Sequence, residues 1–188
     1  MSAGPKEKKG RVSKMRRGAM LLLLCVVVAT AALPALTEAK PTGSGAKRTT
    51  VRELAMLRGN TAKYHNVKAA IEAGYVPAGH CLEVPELGGM GIHYMNPALA
   101  SDDVIDPMQP EVLLYEPTHH GLRLVGVEYF MASALTETTP YVFGQPFDGP
   151  MAGHEPGMPE HYDLHVWIWK NNPSGVFSQF NPNVHCGH

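Results

Sequence analysis

Residues 161–169, His161-Tyr-Asp-Leu-His165-Val-Trp-Ile-Trp169, constrain the fold more than any other stretch because they alternate so regularly. With a period of two, Tyr162, Leu164, Val166 and Ile168 fall on one face, and His161, Asp163, His165, Trp167 and Trp169 on the other. β-Branched and aromatic residues suit a pleated surface, so the segment is expected as a strand whose apolar face meets a core. A merely solvated second face would carry mostly Lys, Glu, Ser and Thr. This one carries two imidazoles, a carboxylate and two indoles, which points to a site without naming a reaction.

The N-terminal 39 residues have the pattern of a secretory signal peptide. Lys6, Lys8, Lys9, Arg11, Lys14, Arg16 and Arg17 form a basic start, and an apolar run follows from Ala19 to Leu33. Small residues come next, with Thr37-Glu38-Ala39 as the expected cleavage site. The apolar run is short for a membrane span, so membrane contact is expected only through this leader if it stays uncleaved. No small residue precedes Cys25, which argues against a lipoprotein anchor. Cleavage would remove the seven basic residues and leave an acidic chain of about 150 residues, long enough for one domain with a real core. An acidic balance argues against nucleic acid or an anionic membrane surface as partner. The remaining Cys81 and Cys186 are expected to form a disulfide in an oxidising compartment, a thiolate metal site being the alternative.

Residues 40–48 read as a flexible linker and residues 49–188 as a single α+β domain. From Thr50 to Ala73, apolar residues recur at helical spacing. Gly59-Asn60 is expected to split this stretch into two helices, with Asn60 or Thr61 as a cap and Gly74 ending the second. Tyr75 to Pro110 shows little periodicity apart from a short strand expected within Gly89-Met-Gly-Ile-His93-Tyr-Met-Asn-Pro97, whose glycines permit close backbone approach. Glu111–Glu116 and Leu122–Phe130 read as a hairpin joined by the loop Pro117-Thr-His-His-Gly121, with His119 and His120 solvated at its tip. A further short strand is expected around Tyr141-Val-Phe143. The architecture predicted is an N-terminal helix or helix pair packed on an antiparallel sheet of about four or five strands, with long ordered loops.

All ten histidines follow the leader, and histidine is the commonest metal ligand. Glu128 alternates with Leu122, Leu124, Gly126 and Phe130, an apolar face on which a carboxylate needs a hydrogen bond, a cation or a metal. The candidate metal ligands are therefore His93, Glu128, His161, Asp163 and His165. On a strand, residues four apart are separated by about 13 Å, so His161 and His165 cannot readily hold one ion between them. The set must be completed from elsewhere, with His93 and Glu128 leading. Asp163 serves either as a ligand or as the acceptor that orients an imidazole. Such a mixed nitrogen and oxygen set suits zinc, iron, manganese or copper. Met90, Met95, Met151 and Met158 would add a copper variant, against a plainer role filling gaps under irregular loops. Motifs of serine hydrolases, P-loop enzymes, dinucleotide-binding folds and His-Glu-x-x-His proteases are absent.

Long motifs of the chain resemble those of an uncharacterised family of exported bacterial proteins. They are Thr61-Ala-Lys-Tyr-His-Asn-Val-Lys68, Met90-Gly-Ile-His-Tyr-Met-Asn-Pro97, Pro110-Glu-Val-Leu-Leu-Tyr-Glu-Pro117, Leu124-Val-Gly-Val-Glu-Tyr-Phe130, Phe143-Gly-Gln-Pro-Phe147 and His161-Tyr-Asp-Leu-His-Val-Trp167. The resemblance implies export and one continuous domain, and it implies no activity. Two functional expectations follow from the residues. One is an exported protein that binds a transition metal. The other is a metal-free module for a small molecule or envelope component, using Tyr162, Trp167 and Trp169.

Overall fold

The computed structural model describes residues 43–154 and 157–187. The expected leader, residues 1–39, lies outside the described residues. Helix α1 runs over Gly43–Thr61 and so occupies most of the segment expected as a linker. It is not broken at Gly59-Asn60 but continues into a 3-10 turn, Ala62–His65. The break comes at Asn66, whose extended backbone and side-chain oxygen, accepting from the Lys68 N–H at 3.1 Å, start α2 (Val67–Glu72). Gly74 ends the pair as expected: its φ of +96° lets the Tyr75 N–H reach the Ala70 carbonyl at 3.0 Å.

The rest is antiparallel sheet. Strands β1 (Val76–Val84), β2 (Gly88–Met95), β3 (Val112–Thr118), β4 (Gly121–Ala132), β7 (Asp148–Met151) and β8 (His161–Val166) form one sheet in the order β1-β2-β3-β4-β8-β7. Strands β5 (Tyr141–Val142) and β6 (Gln145–Pro146) form a separate small ribbon. The main sheet therefore has six strands rather than four or five. The two unexpected strands are the edges, β1 and β7. Each carries a proline (Pro77, Pro150) and a register shift, and β1 is largely exposed. Those features protect an edge from unwanted pairing, and they also erase the alternation that would announce a strand.

The hairpin is tighter than its sequence suggested. Pro117 pairs with Leu122 and Thr118 with Gly121, so only His119 and His120 make the loop. Between Leu114 and Tyr115 the register slips: Leu114 faces Gly126 while Tyr115 faces Leu124, leaving Val125 as an extra residue in β4. This bulge changes which residues share a face. Leu122 and Leu124 pack under the helices with Val127, Tyr129 and Met131, whereas Val125 and Phe130 belong to a second core. Glu128, two residues before Phe130, accordingly lies opposite the helices and not beside Leu122 and Leu124.

Both faces of the sheet are covered. On one, Leu57, Tyr64, Ala70 and Tyr75 of the helical segment pack against Tyr94, Leu113, Tyr115, Leu164 and Val166. Buried tyrosine hydroxyls tie the layers together, Tyr115 to the Tyr64 carbonyl at 2.6 Å and Tyr75 to the Pro110 carbonyl at 2.7 Å. The other core, Val112, Leu114, Val125, Phe130, Trp167 and Val184, is covered by returning chain instead of a helix. Asn181 bridges Gly89, Trp167 donates to the Val176 and Ser178 carbonyls, and Cys186 is bonded to Cys81 of β1. The glycines of β2 permit this approach, as the sequence suggested: a Cβ on Gly88 would lie 2.2 Å from the Asn181 carbonyl oxygen.

Two predictions follow. The Cys81–Cys186 bond closes a loop with a sequence separation of 105, so removing it by the paired Cys81→Ser, Cys186→Ser change should cost about 4–5 kcal/mol by loop-closure entropy, read from urea unfolding. Glu111 is the second. It is buried at the start of β3, where its carboxylate accepts from the Phe130 N–H at 3.2 Å. Burial raises its pKa to about 8, with backbone hydrogen bonds opposing and the Asp102 and Glu128 charges adding. The unfolded carboxyl releases its proton near 4.5 while the folded one keeps it to about 8. Stability therefore declines as pH rises through that window, by at most about 1.4 kcal/mol per pH unit. Glu111→Gln should flatten the decline, measured as unfolding free energy at pH 5 and pH 8.

Candidate metal centre

Strand pairing brings the titratable residues together on the face away from the helices. Glu128 on β4 lies directly opposite His165 on β8, Phe130 opposite Asp163, and Ala132 opposite His161. His93 reaches the same place from β2, where it pairs with Leu114 of β3. The His93 Nε2 to Glu128 Oε2 distance is 3.0 Å, and the His165 Nε2 to Glu128 Oε2 distance is 3.5 Å. One donor atom from each of His93, Glu128 and His165 lies within 4.8 Å of the others, and all three residues are buried. Two ligands bound at about 2.1 Å to one ion, at angles between right and tetrahedral, are separated by about 3.0–3.4 Å. The two distances to Glu128 lie at that spacing, and the two imidazole donors, within 4.8 Å of each other, complete the set.

The polar atoms here are conspicuously short of partners. Glu128 Oε2, His161 Nε2, Asp163 Oδ1, His165 Nδ1 and His165 Nε2 are buried and make no well-directed hydrogen bond, Glu128 Oε2 being held only by the close approach of the His93 and His165 rings. Among the described residues, every buried side-chain nitrogen or oxygen in that condition belongs to this one cluster. Leaving such an atom unsatisfied costs about 1–3 kcal/mol, so five in one patch amount to a large fraction of a domain's stability. A cation between them would remove most of that cost.

Electrostatics point the same way. Burial alone would raise the Glu128 pKa, but the His165 and His93 imidazoles and the His93 hydrogen bond outweigh it and hold the carboxyl down at about 2. Burial lowers His165 to about 4; the Glu128 charge opposes this, while His93, His154 and His161 add to it. An ionised carboxylate and a neutral imidazole are the protonation states that a metal requires. Asp163 is pushed up to about 8 by burial, then by Glu128 and Asp148. It stands 3.9 Å from His165 Nδ1, too far for a hydrogen bond but near enough that a shift of under ~1 Å would let it accept from that nitrogen and leave Nε2 for an ion.

His161 and Asp163 are not part of the three-residue group. They lie one step along β8, with His161 Nε2 3.9 Å from Asp163 Oδ2 and the His161 ring stacked on Phe130 at 4.9 Å. The strand spacing that argued against a clamp of His161 with His165 has this consequence. One neighbour was missed in that role. The His154 ring lies 6.5 Å from His93 and 5.6 Å from His161, delivered by the loop after β7. In the sequence His154 is separated from the other candidate ligands by loop residues, with no strand alternation to link it to them. Met95 and Met158 pack against the second core, the gap-filling role.

The three aromatic candidates do not line one cleft. Tyr162 packs on the helical side, and Trp167 is buried on the metal side, its indole donating to the Ser178 carbonyl at 2.6 Å. Trp169 belongs to the helical side, where its indole donates to Thr61 Oγ1 at 3.2 Å and its ring meets His65 edge-on at 4.3 Å. Alternation fails there because β8 ends at Val166. The chain then turns, with the Trp169 and Lys170 N–H groups both reaching the Val125 carbonyl.

Replacing Glu128 with Ala should destabilise the metal-free protein by about 1–3 kcal/mol, because the buried His93 and His165 rings would lose the carboxylate that they face. Chemical denaturation in the presence of chelator checks this. Comparison with protein-family models, with curated proteins and with solved structures gives no match for this chain.

Proposed function

We propose that this is an exported protein that binds a divalent transition metal through His93, Glu128 and His165. The carrying observation is the convergence of these three buried donors at the patch where the unpartnered polar atoms are concentrated. Two imidazoles with one carboxylate suit zinc and also iron, manganese or copper. With three protein ligands, a bound ion would retain an open position at which it could polarise water or a substrate oxygen. The protein's own contribution would be to hold the donors on three rigid strands, to keep His165 oriented through Asp163, and to exclude bulk water. Export is supported by the Cys81–Cys186 disulfide, by the leader-like N-terminus and by the resemblance to exported bacterial proteins. Among the described residues, no helix is long and apolar enough to cross a membrane.

A second reading rests on a different feature. Met95, Ala100, Phe130, Ala132, Met158 and Pro159 line a groove of about 500 Å³ beside the cluster. Its size and apolar lining suit a small ligand, held without a metal.

Elemental analysis of untagged protein separates the two readings. At least one equivalent of transition metal per chain is expected, and one equivalent is lost when His93 or His165 becomes Ala. Traces of metal that neither change affects would favour the groove. Saturation with zinc at about 100 times Kd should add about 2.7 kcal/mol of unfolding free energy, reversed by chelator.

A further inference from the structure

We infer that the cluster contains a second cation position, held by His161 and Asp163 of β8 and by His154 of the preceding loop. This rests on the metal reading of the same cluster and extends it to residues that the first position does not use. His161 supplies the key observation. Its Nδ1 lies 3.0 Å from the Pro159 carbonyl oxygen, which can only accept, so Nδ1 carries the hydrogen. In the neutral ring Nε2 is then a bare lone pair. That atom is fully buried, has no hydrogen-bond partner, and is 3.9 Å from Asp163 Oδ2. Two acceptors facing each other in a buried place need a proton or a metal ion between them.

A single ion at His93, Glu128 and His165 leaves this pair unresolved. It would satisfy Glu128 Oε2 and His165 Nε2, and it would turn His165 Nδ1 into a donor toward Asp163 Oδ1, 3.9 Å away. The atoms His161 Nε2 and Asp163 Oδ2 would remain opposed. His154 completes the second set. Two imidazoles bound to one ion at angles between right and tetrahedral place their ring centres about 4.5–5.2 Å apart. The His93 and His165 rings are 6.0 Å apart and the His154 and His161 rings 5.6 Å apart, so both pairs would close on binding, the exposed His154 swinging inward toward His161. His154 is exposed, whereas His161 and Asp163 are buried. The second position is therefore built on a rigid strand and open to solvent through its third ligand. Two imidazoles and one carboxylate again select a divalent transition metal over calcium or magnesium. Asp163 links the two positions, orienting His165 with one oxygen and facing the second ion with the other.

Titration of the untagged, metal-stripped full chain with Co²⁺, followed by visible absorption and elemental analysis, tests the inference. Two ions per chain are expected. His154→Ala, an exposed change that leaves the core intact, should weaken one of the two at least tenfold and spare the other. Asp163→Asn should also weaken that ion, and His93→Ala should remove its neighbour. One ion per chain in the unchanged protein overturns the second position and leaves His161 and Asp163 as a protonated ion pair. Two ions with unaltered affinity in the His154→Ala protein also overturn it. Loss of an ion in His154→Ala, with none sensitive to His93→Ala, would support the second position while refuting the proposed first one.

Discussion

A strand has a side-chain period of two, so one extra residue exchanges the faces of everything beyond it. In β4 that residue is Val125, placed by the slip between Leu114 and Tyr115 of β3. Before it, Leu122 and Leu124 point under the helices; after it, Val127, Tyr129 and Met131 do so, and Glu128 is directed away. Without the bulge, Glu128 would keep company with Leu122 and Leu124 under the helical layer. With it, the carboxylate lies opposite His165 and within reach of His93.

That arrangement puts a titratable cluster inside a protein, where it is expensive. A well-packed apolar replacement of buried ionic groups is often neutral or stabilising, so their presence is a weak argument for stability. The cluster is better understood as a place where a donor set has been kept in deprotonated form. Glu128 is held ionised by its imidazole neighbours, and His165 is held neutral by burial. Packing reinforces this geometry, since Phe130 stacks on His161 and Trp167 lies near His165 with ring centres 6.2 Å apart.

The burial itself depends on the chain's return across the second face of the sheet. Val184, the Asn181–Gly89 bridge and the Cys186–Cys81 bond cover strands that no helix reaches. Such a segment has few backbone ladders to hold it, and the disulfide anchors it to β1 at the sheet's edge. The Asn181 carbonyl approaches β2 so closely that only glycine fits at position 88. Cover and centre are thus coupled: the same returning chain holds Trp167 through its indole and main-chain hydrogen bonds.

Much of this was legible from local pattern alone. The alternation of residues 161–166, the helix stop at Gly74 and the hairpin with His119 and His120 at its tip each follow from short-range chemistry, and the pairing of Cys81 with Cys186 follows from their being the two cysteines beyond the leader. The need to complete a site with Glu128 and His93 followed from strand spacing. The edge strands β1 and β7 could not be seen, because proline, glycine and register shifts remove their periodicity. The direction of Trp169 depends on where β8 ends, and that is set by hydrogen bonds to Val125 in another strand. His154 joins the cluster only through the path of a loop. The sequence by itself determined which residue types could bind a metal and which strand would present them. Tertiary structure alone decided which of them meet, because register, bulge and loop path arise from pairings between segments far apart in the chain.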